Sequence, residues 1–265
     1  MNMFLHELKV NRKSTIIWTL SLVAIAVLFL SIFPTIEREG EEFKKVLASY
    51  PEGVLKAVGV QIDSITSFLG FYSYVFLYIM LCGAIQGMNL GMGVLSKEII
   101  GKTAEFLLTK PVARKEILTS KALAVVTSLL ITNIVFMGAA ALMANIVAKE
   151  SIDYQVFFMI SATNFFVQLM FASFGFLLSV LVSRIKSVLP LSLSTVFAFF
   201  ILYMFGSVIG EKAVRYLTPF KYFDLAYIIR HSGYEAQYII IGSIFIVATV
   251  AVSFIVFTKK DIHTV

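Results

Sequence analysis

Charge is scarce in this chain. Only 14% of its 265 residues are Asp, Glu, Lys or Arg, against about 25% in a soluble domain of ordinary composition. No Asp, Glu, Lys, Arg or His stands in the middle of any of its long apolar runs. Proton- and ion-coupled carriers need such a group at depth, so a secondary transporter is disfavoured. Cysteine is nearly absent too. Cys82 stands alone, which excludes an intrachain disulfide. The three histidines, His6, His231 and His263, fall outside the apolar runs. Neither an intramembrane metal site nor a serine–histidine couple can be assembled from them. A nucleotide-binding loop is also missing. Gly101-Lys102-Thr103 has the ending of one, but Ser96 occupies the place of its leading glycine. Without that glycine the backbone amides cannot wrap the phosphates. The sequence therefore predicts no catalytic residue, no metal and no cofactor in this chain.

What is present is apolar: 59% of the residues are hydrophobic. A helix needs about 20 mostly apolar residues to cross a hydrocarbon core about 30 Å thick. Six runs qualify: Ile16–Phe33, closed by Pro34, then Phe68–Leu95, Ala122–Ala148, Tyr154–Val182, Ser187–Ile209 and Gln237–Phe257. Transmembrane β-strands are short and alternate in polarity, whereas these runs are long and continuous. The expected fold is all-α, a single polytopic transmembrane domain over residues 1–265.

Of the 22 lysines and arginines, 13 lie on the side of the predicted spans that carries both termini and nine on the other. The positive-inside rule places the termini in the cytoplasm. The net charge of +6 then reflects topology and anionic lipid headgroups, with no need of nucleic acid. Met1, Phe4, Leu5 and Leu8 share one helical face ahead of Lys9, Arg12 and Lys13. That spacing predicts an interfacial helix over residues 1–15, before a first span that is not a cleavable signal peptide. On the opposite side, Phe43, Val46, Leu47 and Tyr50 share a face, as do Val54, Leu55 and Val58 after Pro51. Two short amphipathic surface helices follow. The last outer loop, residues 210–237, is rich in Tyr and Phe, which suit the headgroup layer.

The polar residues inside the spans are neutral: Gln86, Asn89, Asn133, Asn145, Asn164 and Gln168. Such groups line a substrate path or bond helix to helix, the second being the commoner use. Gly83, Gly87 and Gly91 recur every fourth residue in the second span, and Gly206 and Gly210 repeat the spacing in the fifth. Each stripe lets a helix approach closely, either within the chain or across a dimer seam.

The stretch Lys97–Lys121 interrupts this pattern. It holds six of the 22 basic residues between two apolar runs. Ile99, Thr103, Phe106 and Leu107 fall on one side of a short helix, and Pro111 ends it. Glu98, Glu105 and Glu116 are poor neighbours for an anionic membrane surface, so a protein groove is the favoured seat.

The string Glu98-x2-Gly101-x-Thr103-x-Glu105-x-Leu107-Leu108-Thr109-x-Pro111-Val112-x-Arg114, with Ile117 and Lys121, resembles the cytoplasmic signature of ABC-2 type transporter permeases. Tyr50-Pro51-Glu52-Gly53 onward, Thr218-Pro219-Phe220-Lys221 onward and the ending Phe257-Thr258-Lys259-Lys260-Asp261-Ile262 are similar to further parts of that family. Lys102 stands where that family often has a small residue, and Ala113 where it often has serine or glycine. The resemblance implies that two six-span subunits pair, as a homodimer or heterodimer. Each binds a cytoplasmic ATP-binding subunit, which holds the ATP and Mg²⁺. The segment between spans two and three would then be the coupling helix. Phe106 and Leu107 would serve as apolar anchors, and Glu98, Glu105 and Arg114 as polar contacts. Gly101, Thr103, Leu108 and Pro111 complete the motif. The expected function is a permease subunit of an ATP-driven exporter in a prokaryotic plasma membrane. The alternative is an ATP-independent scaffold or assembly factor that recruits a cytoplasmic partner through residues 98–114.

Overall fold

Long apolar runs almost free of proline dictate long helices. Only Pro190 lies inside a span, and it is the third residue of its helix, where the missing N–H has no intrahelical acceptor to lose. The computed structural model of the chain describes residues 3–100, 113–149, 151–182, 185, 187–210 and 212–259. Among them there is no strand. Six helices are long and apolar enough to cross a membrane: α1 (Met3–Leu30), α5 (Phe68–Ile100), α6 (Arg114–Val147), α7 (Tyr154–Leu181), α8 (Val188–Ile209) and α11 (Ala236–Lys259). The protein is thus an all-α polytopic membrane protein.

The bundle is built around α5 and α7. Of their most apolar windows, 72% and 61% of residues are buried, against 17% for both α8 and α11. The outer helices expose Ile, Leu and Val, as lipid-facing surfaces do. The main core includes Phe76, Met80, Met88, Phe136, Ile160 and Val167. A second cluster, with Leu95, Leu118, Phe176 and Phe257, ties α5, α6, α7 and α11 together at the end that carries the termini, called here the basic end.

Three expected boundaries shift. Residues 3–15 form no separate interfacial helix; they are the first part of an unbroken α1. No glycine or proline interrupts that stretch. Asn11, Thr15 and Thr19 turn inward and are buried, so this face docks on protein. The first span also ends early, at Leu30, and Pro34 lies in the first turn of α2 (Phe33–Arg38). At the basic end, α5 runs on to Ile100 and α6 begins at Arg114. The segment expected over 97–121 is therefore helical at both ends, continuous with the spans.

At the opposite end, α3 (Gly40–Ala48) and α4 (Glu52–Ala57) form the two short helices. Phe43 and Leu47 pack on the core, but Val46 and Tyr50 are exposed. In α4 only Leu55 is buried, and the helix rests on α8. The last loop holds α9 (Lys212–Leu217), a 3-10 turn at Pro219–Lys221 and α10 (Leu225–His231). It does not stay in the headgroup layer. Thr218, Phe220, Tyr222 and Phe223 are buried. Thr218 Oγ1 donates to Phe199 O at 3.0 Å, about 15 Å short of the outer end of α8. The Phe220 ring meets Phe171, Phe200 and Tyr203, so the loop dips into the bundle as a plug. Aromatic content alone does not distinguish a plug from a belt.

Candidate functional site

Two features of the bundle bear on function: the basic end, where the ABC-2-like motif lies, and a polar layer at mid-span. At the basic end, Glu98 falls in the last turn of α5 and Arg114 opens α6. Gly101, Thr103, Glu105, Phe106, Leu107, Leu108 and Pro111 lie outside the described residues. What the structure shows is the frame that holds them. Leu95 of α5 and Leu118 of α6 share the basic-end cluster, and Ile117 is buried beside it. Lys121, at 3% exposure, pairs with Glu7 of α1 at 2.7 Å. This pair fastens the start of α1 to the helix that follows the motif. Sequence reading gave no hint of it, because both residues sit in charged stretches and are 114 positions apart.

Twelve residues along α1 and eleven along α6, Thr19 Oγ1 meets Thr132 Oγ1 at 2.9 Å. The two helices therefore run parallel. At this level a polar layer crosses the bundle. Gln86 Nε2 donates to Thr132 Oγ1 at 2.9 Å, and Gln168 Nε2 donates to Gln86 Oε1 at 3.1 Å. Asn133 Nδ2 donates to Gln168 Oε1 at 2.5 Å, and Asn164 Nδ2 to Asn133 Oδ1 at 3.0 Å. These groups are at most 7% exposed. An unmade bond is costly at such depth. The layer makes five interhelical bonds, worth about 0.6 kcal/mol each in a membrane, or about 3 kcal/mol together. These four amides thus join helices rather than line a path. Asn145 differs: it is exposed near the end of α6 and accepts a bond from Tyr154 at 2.7 Å.

The glycine stripe explains how α5 and α7 come close enough to carry this layer. A Cβ on Gly83 would stand 2.1 Å from Asn164 Oδ1. On Gly87 it would stand 2.4 Å from Gln168 O, and on Gly91 2.0 Å from Ala172 O. Each fourth residue of α5 thus meets each fourth of α7 at a constant offset, so these helices are parallel and in register. Gly175 answers from α7, against Met88 O. The stripe faces a helix of its own chain. The fifth-span pair behaves otherwise: Gly206 lies under Val214 of α9. Gly210 ends α8 in a left-handed conformation with open space around it, a conformation glycine adopts freely. It packs no helix.

Among the described residues, no group of three His, Cys, Asp or Glu is placed to hold a metal. No curated protein matches the chain. The sequence model of a family described as "ABC-2 family transporter protein" matches residues 1–262. That match takes in all six span-length helices and the whole segment between α5 and α6, so the chain belongs to the ABC-2 transporter family, whose members are membrane components of ABC transporters.

Proposed function

We propose that this chain is the permease subunit of an ATP-driven exporter in a prokaryotic plasma membrane, with both termini cytoplasmic. A separate ATP-binding subunit, holding ATP and Mg²⁺, seats on Glu98–Arg114 and moves the spans through it. Phe106 and Leu107 are the apolar anchors, and Glu98, Glu105 and Arg114 the polar contacts. A second permease subunit completes the transporter.

The observation that carries this reading is the family match, which includes the entire motif. The frame around the motif supports it. Helices α5 and α6 have 33 and 34 residues, so each is about 50 Å long. Each exceeds a hydrocarbon core by about 20 Å. Glu98 and Arg114 stand at the basic-end termini of these helices, where a cytoplasmic protein has access. A helix end packed into a core transmits displacement better than a loose loop.

The test is co-expression of the chain with its ATP-binding subunit. Phe106→Asp should abolish co-purification and the stimulation of ATP hydrolysis, while the protein still inserts. A hot-spot anchor costs at least about 2 kcal/mol when lost. Wild-type binding by that variant removes the coupling role. Recruitment of a cytoplasmic partner without any effect on ATP hydrolysis points instead to a scaffold.

A further inference from the structure

The plug formed by the last loop leaves a half-open cavity of about 370 Å³ at the end opposite the termini. That volume is within the range of small-ligand sites. It reaches down to Met80, twelve residues into α5, or about 18 Å from the start of the helix. Its floor is apolar, with Leu77, Met80 and Phe220. Its wall carries Lys56, Arg215 and Lys221 against a single carboxylate, Asp224.

These charges are not equivalent. Lys56 pairs with Glu52 at 2.5 Å, and Arg215 with Glu235; neither glutamate lines the cavity. Asp224 Oδ1 accepts from the backbone N–H groups of Ala226 and Tyr227, capping α10. Lys221 is left. Among the described residues no carboxylate lies within 4 Å of its Nζ, which sits 5.8 Å from the centre of the Tyr203 ring. Burial, with the Arg215 guanidinium beside it, pushes this ammonium below the usual lysine value, and Asp224 only partly opposes them. Among the described residues this ammonium has no carboxylate in direct contact. Ser73 Oγ also lines the cavity; it is shielded from solvent and has no hydrogen-bond partner among the described residues. An oxyanion at Lys221 supplies the missing charge, and one reaching the Ser73 hydroxyl accepts the unused donor.

We propose that this cavity binds an amphiphile with a singly charged oxyanion headgroup, of which a phosphodiester is the model, with the headgroup on Lys221 and the apolar part on Leu77, Met80 and Phe220. A single unpaired cation suits one net negative charge. The apolar floor favours a headgroup that carries a hydrocarbon part. The site needs no ATP-binding subunit, since every residue lining it belongs to this chain.

The test uses the full chain purified in nonionic detergent, titrated calorimetrically with three probes. These are a soluble short-chain phosphatidylglycerol, a phosphatidylcholine with the same chains, and dimethyl phosphate. Phosphatidylglycerol should bind saturably and at least about tenfold tighter than phosphatidylcholine, whose choline cation offsets the same phosphodiester charge beside the cationic wall. Lys221→Gln should erase that preference and Lys221→Arg should keep it. Dimethyl phosphate competing for the site identifies the phosphodiester group itself as the ligand. Binding of phosphatidylglycerol alone identifies a lipid headgroup. Equal binding of both lipids, no binding of any probe, or a preference that survives Lys221→Gln overturns the proposal. The comparison of the two lipids needs no variant, so it decides the matter even if Lys221→Gln misfolds.

Discussion

Replacing Gly87 by alanine adds one carbon where none fits. Its Cβ would lie 2.4 Å from Gln168 O, 3.0 Å from Gln168 Cα and 3.1 Å from its carbonyl carbon, where ordinary contact begins at 3.4 Å. All three are backbone atoms, so no side-chain rotation relieves the clash. Helices α5 and α7 must separate by about 1 Å at this level. The Gln168 to Gln86 bond, now 3.1 Å, then passes out of hydrogen-bond range. Overpacking costs about 1–3 kcal/mol, and losing one or two bonds of the polar layer adds about 0.6 kcal/mol each. The expected loss is about 2–4 kcal/mol before any gain in helix propensity. Gly138 of α6 supplies the matched control, since a Cβ there meets nothing within 4 Å. Gly138→Ala keeps the propensity gain of up to about 1 kcal/mol without the clash. The two variants are compared by unfolding in mixed micelles as the fraction of a denaturing detergent rises, followed through the single Trp18. Gly87→Ala should be the less stable by about 2–4 kcal/mol. A difference under about 0.5 kcal/mol would refute the close-approach argument.

Further outcomes follow from the same geometry. Lys121→Met strands a largely buried Glu7 carboxylate and should cost about 3 kcal/mol in the same assay; Glu7→Leu with Lys121→Met should cost less, because the Glu7 charge is then not left behind. Gln168→Leu deletes the acceptor of Asn133 and the donor to Gln86 and should destabilise by about 1–3 kcal/mol; a neutral result would mean that the layer relaxes freely. In a Cys82→Ser background, the exposed positions 213 and 115 report orientation. Ala213→Cys should react with an impermeant maleimide added outside intact cells, and Lys115→Cys only after lysis; the reverse pattern inverts the topology.

The six spans were legible because hydropathy over about 20 residues is decided locally. The polar residues joined across helices were nameable, but their partners were not. Gln86 and Gln168 lie 82 positions apart, and composition does not reveal which helix faces which. The glycines at 83, 87 and 91 announced a close approach without saying to what; α7 supplies the answer. At the basic side the helices continue past the predicted spans. Arg114–Lys121 contains neither glycine nor proline, and its charges sit on a helix that outruns the membrane. Lys121 was read with the motif, yet it is buried against a residue near the other end of the chain's sequence. The last loop was misread for a related reason: Phe220 and Tyr222 serve a headgroup belt or a plug equally well, and only tertiary contact separates the two.

The offset between α5 and α7 is the same at three successive glycines. Two surfaces interlocked at a four-residue repeat resist sliding: the next matching alignment lies about 6 Å away along the axis. Smaller axial slips drive backbone carbonyls into α-carbons. A displacement delivered to the basic end of α5 therefore cannot be dissipated as slip between these helices. It passes to α7, so that the pair travels as one strut, with α8 and α11 the least enclosed of the six around it.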